Sequence, residues 1–197
     1  MHDIYIYLIE NIYQFLGVVL SIIYVLFSIR QNILCWIALI LAAIFNMYAY
    51  YLIELPLQSI MQLFFIGTGL YGWYNWSQKT NNQPLKISTW SGKKHLSWLS
   101  IGLIITFLIT IILSKLQGSS LLYSKYPFLD ALMFTFNIIP MYMTGKKILE
   151  SWIYFIVIDV ISGVFYAITG EFFFCFLFFC YIGFATQGYL TWKKEII

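Results

Sequence analysis

The stretch WIYFIVIDVISGVFY, residues 152–166, is apolar enough to lie in lipid, yet it carries Asp159 close to its middle. Read as a helix, it places Trp152, Phe155, Asp159, Ser162 and Tyr166 at steps of three and four, hence on one face. The opposite face is aliphatic. A carboxylate at the centre of a membrane helix costs about 2.5–3.5 kcal/mol on insertion scales, so it persists where it faces a partner or a watered cavity. Two readings follow: a structural carboxylate paired with a neighbouring helix, or one wall of a polar path through a bundle.

Composition supports the membrane setting. Of 197 residues, 61% are hydrophobic and 10% charged, with a mean hydropathy of +0.83. No soluble domain needs so much apolar surface, which makes this a polytopic membrane protein. At roughly 20 residues per span the length allows about seven helices and no separate soluble catalytic domain. Asp3 and Glu10 precede the first apolar run, which therefore reads as a retained helix and not a cleaved signal peptide. Cys35, Cys175 and Cys180 fall in or beside apolar segments without metal-ligand spacing, and His2 and His95 lie outside the spans. No metal and no cofactor is expected.

Spans are expected at about 12–29, 33–53, 57–75, 96–114, 128–144, 149–168 and 172–191. The third is the least apolar, and a Pro- and Asn-containing linker, Ser77 to His95, follows it. Arg30, Lys79, Lys86, Lys93, Lys94, Lys146, Lys147, Lys193 and Lys194 share one side of a seven-helix arrangement, and Lys115 and Lys125 the other. By the positive-inside rule the N-terminus is outside, the C-terminus cytoplasmic, and a cysteine placed at Asn81 shielded from external reagents.

A repeat becomes visible in that frame. Arg30 and Lys146, Trp36 and Trp152, Gly72 and Gly188, and Trp76 and Trp192 are each 116 residues apart. The expected fold is therefore all-α and membrane-embedded, a single transmembrane domain over 1–197 with a parallel 3+1+3 repeat. Repeat one covers about 12–76, a linker helix about 96–114 and repeat two about 128–192.

The same spacing maps the stripe of the sixth helix onto Trp36, Leu39, Ala43, Asn46 and Tyr50. Gln62, Phe65, Gly69, Gly72 and Trp76 line one face of the third helix, and Asp130, Phe134, Asn137 and Met141 one face of the fifth, which Pro140 should bend. One central cavity lined by amides, a carboxylate and rings fits these faces. Each element has a plainer reading. Trp36, Trp73, Trp76, Trp152 and Trp192 suit an interfacial aromatic belt. Gly67 and Gly69 suit close helix packing, and Asn46 and Gln62 interhelical hydrogen bonds. Glu54 and Glu171 read as solvated loop residues. No Arg or Lys falls within any expected span, whereas a buried phosphate needs such a partner. A cationic or neutral aromatic ring suits the cavity better, so the solute is expected to be dephosphorylated and vitamin-like. No nucleic-acid partner is expected.

The segment QNILCW, the run from Gln62 to YGWYNW, YPFLDAL, KKILESW with the following VID, and the closing G-x-x-x-W resemble the PnuC family of vitamin transporters, over Asn11 to Trp192. The resemblance implies a seven-helix fold related to the SWEET sugar transporters, assembled as a homotrimer. It further implies facilitated diffusion of nicotinamide riboside, thiamine or riboflavin across a bacterial inner membrane, with a cytoplasmic kinase trapping the solute. Gln62, Trp73, Trp76, Asp130, Trp152 and Asp159 match family positions. Two positions depart: Ser151 to Phe155 lacks the family's Asn-Trp-x-x-Trp, and Met141 stands where a Gln is common. Nicotinamide riboside is the first expectation and thiamine the alternative, and the expected substrate-binding set is Asn46, Gln62, Trp73, Trp76, Asn137, Ser151, Trp152, Phe155, Asp159 and Tyr166. A channel or structural membrane protein is the rival class. A membrane enzyme is disfavoured because no nucleophile–base–orienter set lies within reach.

Overall fold

A computed structural model of the chain describes residues 12–80, 83–116 and 124–196. The expectations resting on His2, Asp3, Glu10 and Asn81 lie outside these residues. Among the described residues there are seven helices: α1 Ile12–Ile29, α2 Cys35–Leu52, α3 Pro56–Ser77, α4 Gly92–Lys115, α5 Pro127–Gly145, α6 Ser151–Thr169 and α7 Phe172–Lys193. A short antiparallel ribbon, β1 Lys79–Thr80 with β2 Gln83–Pro84, follows α3. Five helices are long and apolar enough to cross a membrane: α1, α2, α4, α6 and α7. Gln58 and Gln62 in α3, and Asp130, Asn137 and Pro140 in α5, lower the hydropathy of the other two. Both of these helices begin on a proline, whose fixed φ suits a first helical turn.

Two boundaries shift for physical reasons. The fourth helix starts at Gly92, four residues earlier than expected, because Lys93, Lys94 and His95 extend it as a polar turn beyond the apolar run. The sixth starts at Ser151, two residues later, because Lys147 adopts φ 51° and turns the chain. The linker is not free: Ser88 N–H donates to Lys147 O at 3.0 Å and Leu149 N–H to Ser88 O at 2.9 Å, tying it to the α5–α6 turn.

The helices pack in the order α1, α2, α3, α5, α6, α7 and back to α1, a closed ring, with α4 outside against α5. Much of α4 is bare: Leu103, Ile104 and Phe107 are exposed, a surface suited to lipid. Among the described residues four turns hold a residue at positive φ: Gln31, Glu54, Lys147 and Gly170. In each, the next N–H reaches back five residues, Asn32 to Phe27 O, Leu55 to Tyr50 O, Ile148 to Met143 O and Glu171 to Tyr166 O, at 2.9–3.0 Å. These bonds close the ends of α1, α2, α5 and α6 and hold three non-glycine residues in a left-handed conformation that costs about 1–3 kcal/mol each.

The belt reading is corrected for four of the five tryptophans, Trp73 being exposed. Trp36, Trp76, Trp152 and Trp192 are buried and meet in the bundle interior, with ring centroids 5.1 Å apart for Trp36–Trp76, 6.2 Å for Trp76–Trp192 and 5.3 Å for Trp152–Trp192. Glycine admits them: a Cβ on Gly72 would stand 2.3 Å from the Trp36 ring, and one on Gly188 2.6 Å from Trp152. Gly69 packs against Ile40, but nothing approaches Gly67, so the close-packing expectation holds for one of that pair.

Candidate functional site

The ring of helices surrounds a central cavity of about 80 Å³. That is room for several waters or part of a flat ring. α1 contributes Ser21 and Tyr24, α2 Asn46, α3 Gln62 and Phe65, α5 Asn137 and Met141, α6 Trp152, Phe155 and Asp159, and α7 Phe178 and Tyr181. The helix stripes explain this convergence: at about 100° per residue, positions three and four apart return to the same face, and the ring turns those faces inward.

The amides are held in place by short bonds. Asn137 Nδ2 donates to Met133 O at 2.7 Å, Gln62 Nε2 to Gln58 O at 3.2 Å, and Asn46 Nδ2 to Ser21 Oγ at 3.2 Å. Asn46 Oδ1 is left buried with no donor. The Tyr24 hydroxyl points at Met141 Sδ, 3.3 Å away. Asp159 is 2% exposed, and among the described residues its carboxylate makes no hydrogen bond or ion pair. The paired-carboxylate reading therefore finds no partner helix, and the group faces the cavity.

Aromatic layers flank the cavity at both ends. On one side stands the tryptophan cluster: Trp76 Nε1 donates to Thr144 O at 3.2 Å, and Trp192 Nε1 to Ser28 O and Ile29 O at 3.3 and 3.2 Å. Beneath it Lys147 Nζ donates to Gln31 Oε1 at 2.7 Å and lies 4.7 Å from the Trp76 ring centroid, while Gln31 donates to Glu195. Burial pushes the Lys147 ammonium below its ordinary pKa. On the other side Tyr50 stacks on Phe174 at 4.3 Å and Tyr166 on Phe178 at 5.3 Å. Glu171, expected to be solvated, is half-buried there; burial raises its pKa and the Gln14 side chain opposes the shift.

Of the expected site residues, Asn46, Gln62, Asn137, Trp152, Phe155 and Asp159 come together around the cavity. Trp73, Trp76, Ser151 and Tyr166 do not line it. Trp73 is displaced about 100° from Gly72, off the inward stripe of α3, and is 36% exposed. Ser151 sits off the α6 stripe by the same angle, buried beside Trp152. Trp76 belongs to the closing cluster. Tyr166 is on the correct face but two turns, about 10 Å, beyond Asp159, which puts it in the aromatic layer above. The contributions of α1 and α7 were missed. Gln14, Ser21 and Ser28 recur every seven residues on the buried face of α1, a usable signal. The phenylalanine-rich α7 offers no comparable contrast.

A family model described as nicotinamide mononucleotide transporter matches residues 11–194. The nicotinamide riboside transporter PnuC of Escherichia coli (strain K12) is 30% identical over 142 residues, 61% of this chain and 59% of that protein; the Shigella flexneri protein of the same name matches equally. The matched region thus spans less than two thirds of these relatives. A solved structure described as the vitamin B3 transporter PnuC superposes with a TM-score of 0.79 at 15% identity, over 99% of this chain and 86% of that one. At that identity the likeness is one of fold.

Proposed function

The chain belongs to the nicotinamide mononucleotide transporter family, which includes the PnuC proteins, and we propose that it carries a small dephosphorylated cationic vitamin, nicotinamide riboside first, across a bacterial inner membrane. One observation carries this choice: the cavity presents an unpaired carboxylate among aromatic faces and amides, and no Lys or Arg lines it. A pyridinium ring is stabilised by such a site through charge and π-face contact, whereas a phosphate would meet Asp159 with no cation to offset it. This favours the riboside over the mononucleotide of the family's description. Asn46, Gln62, Asn137, Trp152, Phe155 and Asp159 are the proposed contacts. Trp73, Trp76, Ser151 and Tyr166 keep only indirect roles in closing or shaping the site.

The transport mode is proposed as facilitated diffusion, with phosphorylation by a cytoplasmic kinase as the trap. A parallel 3+1+3 duplication related to SWEET transporters is supported by recurrences at a separation of 116 residues. Both tryptophan–glycine packings recur, as do the indole bonds to Thr144 O and Ser28 O and the positive-φ turns at Gln31 and Lys147 and at Glu54 and Gly170. The bare face of α4 leaves surface for lipid and for the sister copies of a homotrimer. Thiamine remains the second reading on a specific ground: Met141 and Tyr24 make part of the wall a soft, amide-free surface that suits a cationic ring without a carboxamide.

Competition against uptake of labelled nicotinamide riboside tests the choice of solute. Unlabelled riboside should compete, and the mononucleotide at equal concentration should not; equal competition by the mononucleotide refutes the charge argument. Orientation is tested at Ser91→Cys, which should resist impermeant thiol reagents added to intact cells. Rapid labelling from outside would reverse the assignment.

A further inference from the structure

At the end of the bundle opposite the tryptophans, a second recess of about 190 Å³ opens among the α2–α3 turn, the start of α5 and the end of α6. Its polar floor is Asp130, Gln58 and Ser124; its rim carries Glu54 and Lys125. Gln58 Nε2 donates to Asp130 Oδ1 at 2.7 Å, and the Ser124 hydroxyl donates to Asp130 Oδ2. Ser124 Oγ in turn accepts Tyr126 N–H at 3.2 Å. Asp130 is 4% exposed and Gln58 3%, and Gln58 Oε1 is left with no donor. Lys125, the basic residue here, is exposed and lies 5.5 Å from the Tyr126 ring centroid, so it does not neutralise the buried carboxylate directly. The recess thus holds a carboxylate fixed by one neutral donor on each oxygen, with no cation bonded to it, beside the Gln58 carbonyl oxygen, which has no donor.

Neighbouring turns of α3 reach both spaces: Gln58 lines the recess and Gln62 the central cavity. Gln62 stands one turn from Gln58, about 6 Å along the axis, and donates to the Gln58 carbonyl at 3.2 Å while lining the cavity. Polar groups therefore run from Asp130 through Gln58 and Gln62 to the space where Asp159 waits, past the layer of Tyr50 and Tyr166.

The geometry points to an outer docking station: Asp130 and Gln58 receive a small organic cation at this mouth before it passes inward to Asp159. The station rests on the reading of the solute as a cation taken up from the face bearing Glu54. A charged, partly desolvated mouth concentrates counter-charged solute and speeds its capture, while the equilibrium affinity stays with the inner cavity.

Uptake of labelled nicotinamide riboside by cells, far below saturation, and equilibrium binding to the purified full chain together test this. Asp130→Asn should lower uptake at limiting solute on the order of five- to tenfold, the scale of electrostatic steering by a single mouth. Its dissociation constant and its saturated uptake should stay within about twofold of the parent. Unchanged limiting uptake overturns the station, as does a dissociation constant that weakens in step with uptake. Glu54→Lys is the arm that does not depend on a buried bond: it inverts the rim charge at an exposed position and should depress limiting uptake with no change in affinity. A folded Glu54→Lys protein with parental limiting uptake overturns the proposal even where Asp130→Asn does not fold. Failure of the underlying reading looks different, since the parent chain itself would then show no saturable riboside uptake.

Discussion

Helices α2 and α6 occupy matching places in the ring yet carry different chemistry. Each begins near a buried tryptophan, Trp36 or Trp152, that lies against a glycine of the following helix. Each is preceded by a turn at positive φ, and the residues at those two turns, Gln31 and Lys147, bond each other. Two turns deeper the likeness ends. Position 159 in α6 is aspartate, where α2 has Ala43, and Gln62 in α3 answers to Phe178 in α7. What is shared holds backbones at fixed distances. What differs lines the cavity.

The comparison breaks most readily at the shared packing. Gly72→Ala and Gly188→Ala should each cost about 3 kcal/mol, at the upper end of overpacking penalties, because the tryptophan ring cannot retreat from an added methyl. Melting curves should show similar losses for the two; a tolerant position would mean that its indole is free to move and that the halves are not equivalent scaffolds.

Asp159 tests the divergent part. Asp159→Asn retains size and hydrogen bonding and removes the charge, so affinity for nicotinamide riboside should fall by about 1–3 kcal/mol, roughly five- to 150-fold. Thermal stability should hold or rise, since no partner loses a bond. A lower melting temperature with unaltered affinity would move this residue to the scaffold.

The bond between the two turns gives a smaller effect. Lys147→Met should cost about 1 kcal/mol as its contact with Gln31 is lost at a partly wetted site. Burial lowers the Lys147 pKa below its ordinary 10.5, so in the alkaline range just under that value the unfolded chain binds more protons there. The stability contributed by this group therefore rises with pH across that window. The parent's melting temperature should climb relative to Lys147→Met there, and parallel curves would argue against a buried ammonium.

The smallest expected change sharpens the choice of solute. Met141→Gln restores an amide to the wall beside Tyr24 and should shift preference from thiamine toward nicotinamide riboside by about 1 kcal/mol, the worth of one neutral hydrogen bond. Competition constants for both solutes measure it, and an equal change for the two would remove Met141 from selectivity.

The sequence by itself determined the seven helices of the described residues, their inward faces and the presence of a costly carboxylate, because hydropathy and the 3.6-residue period are local properties of one segment. It also carried the recurrence that separates shared from divergent positions. Only the tertiary structure decided which inward faces meet at one depth. Asn46, Gln62, Asn137 and Asp159 lie at a common level, while Tyr166, on the same stripe as Asp159, rises into the next layer. It alone drew Trp36, Trp76, Trp152 and Trp192 away from the interfaces into one cluster, and brought Ser21, Tyr24 and Tyr181 into the wall. Periodicity fixes a side chain's angle about its own helix; its height and its neighbour are set by how the helices pack against one another.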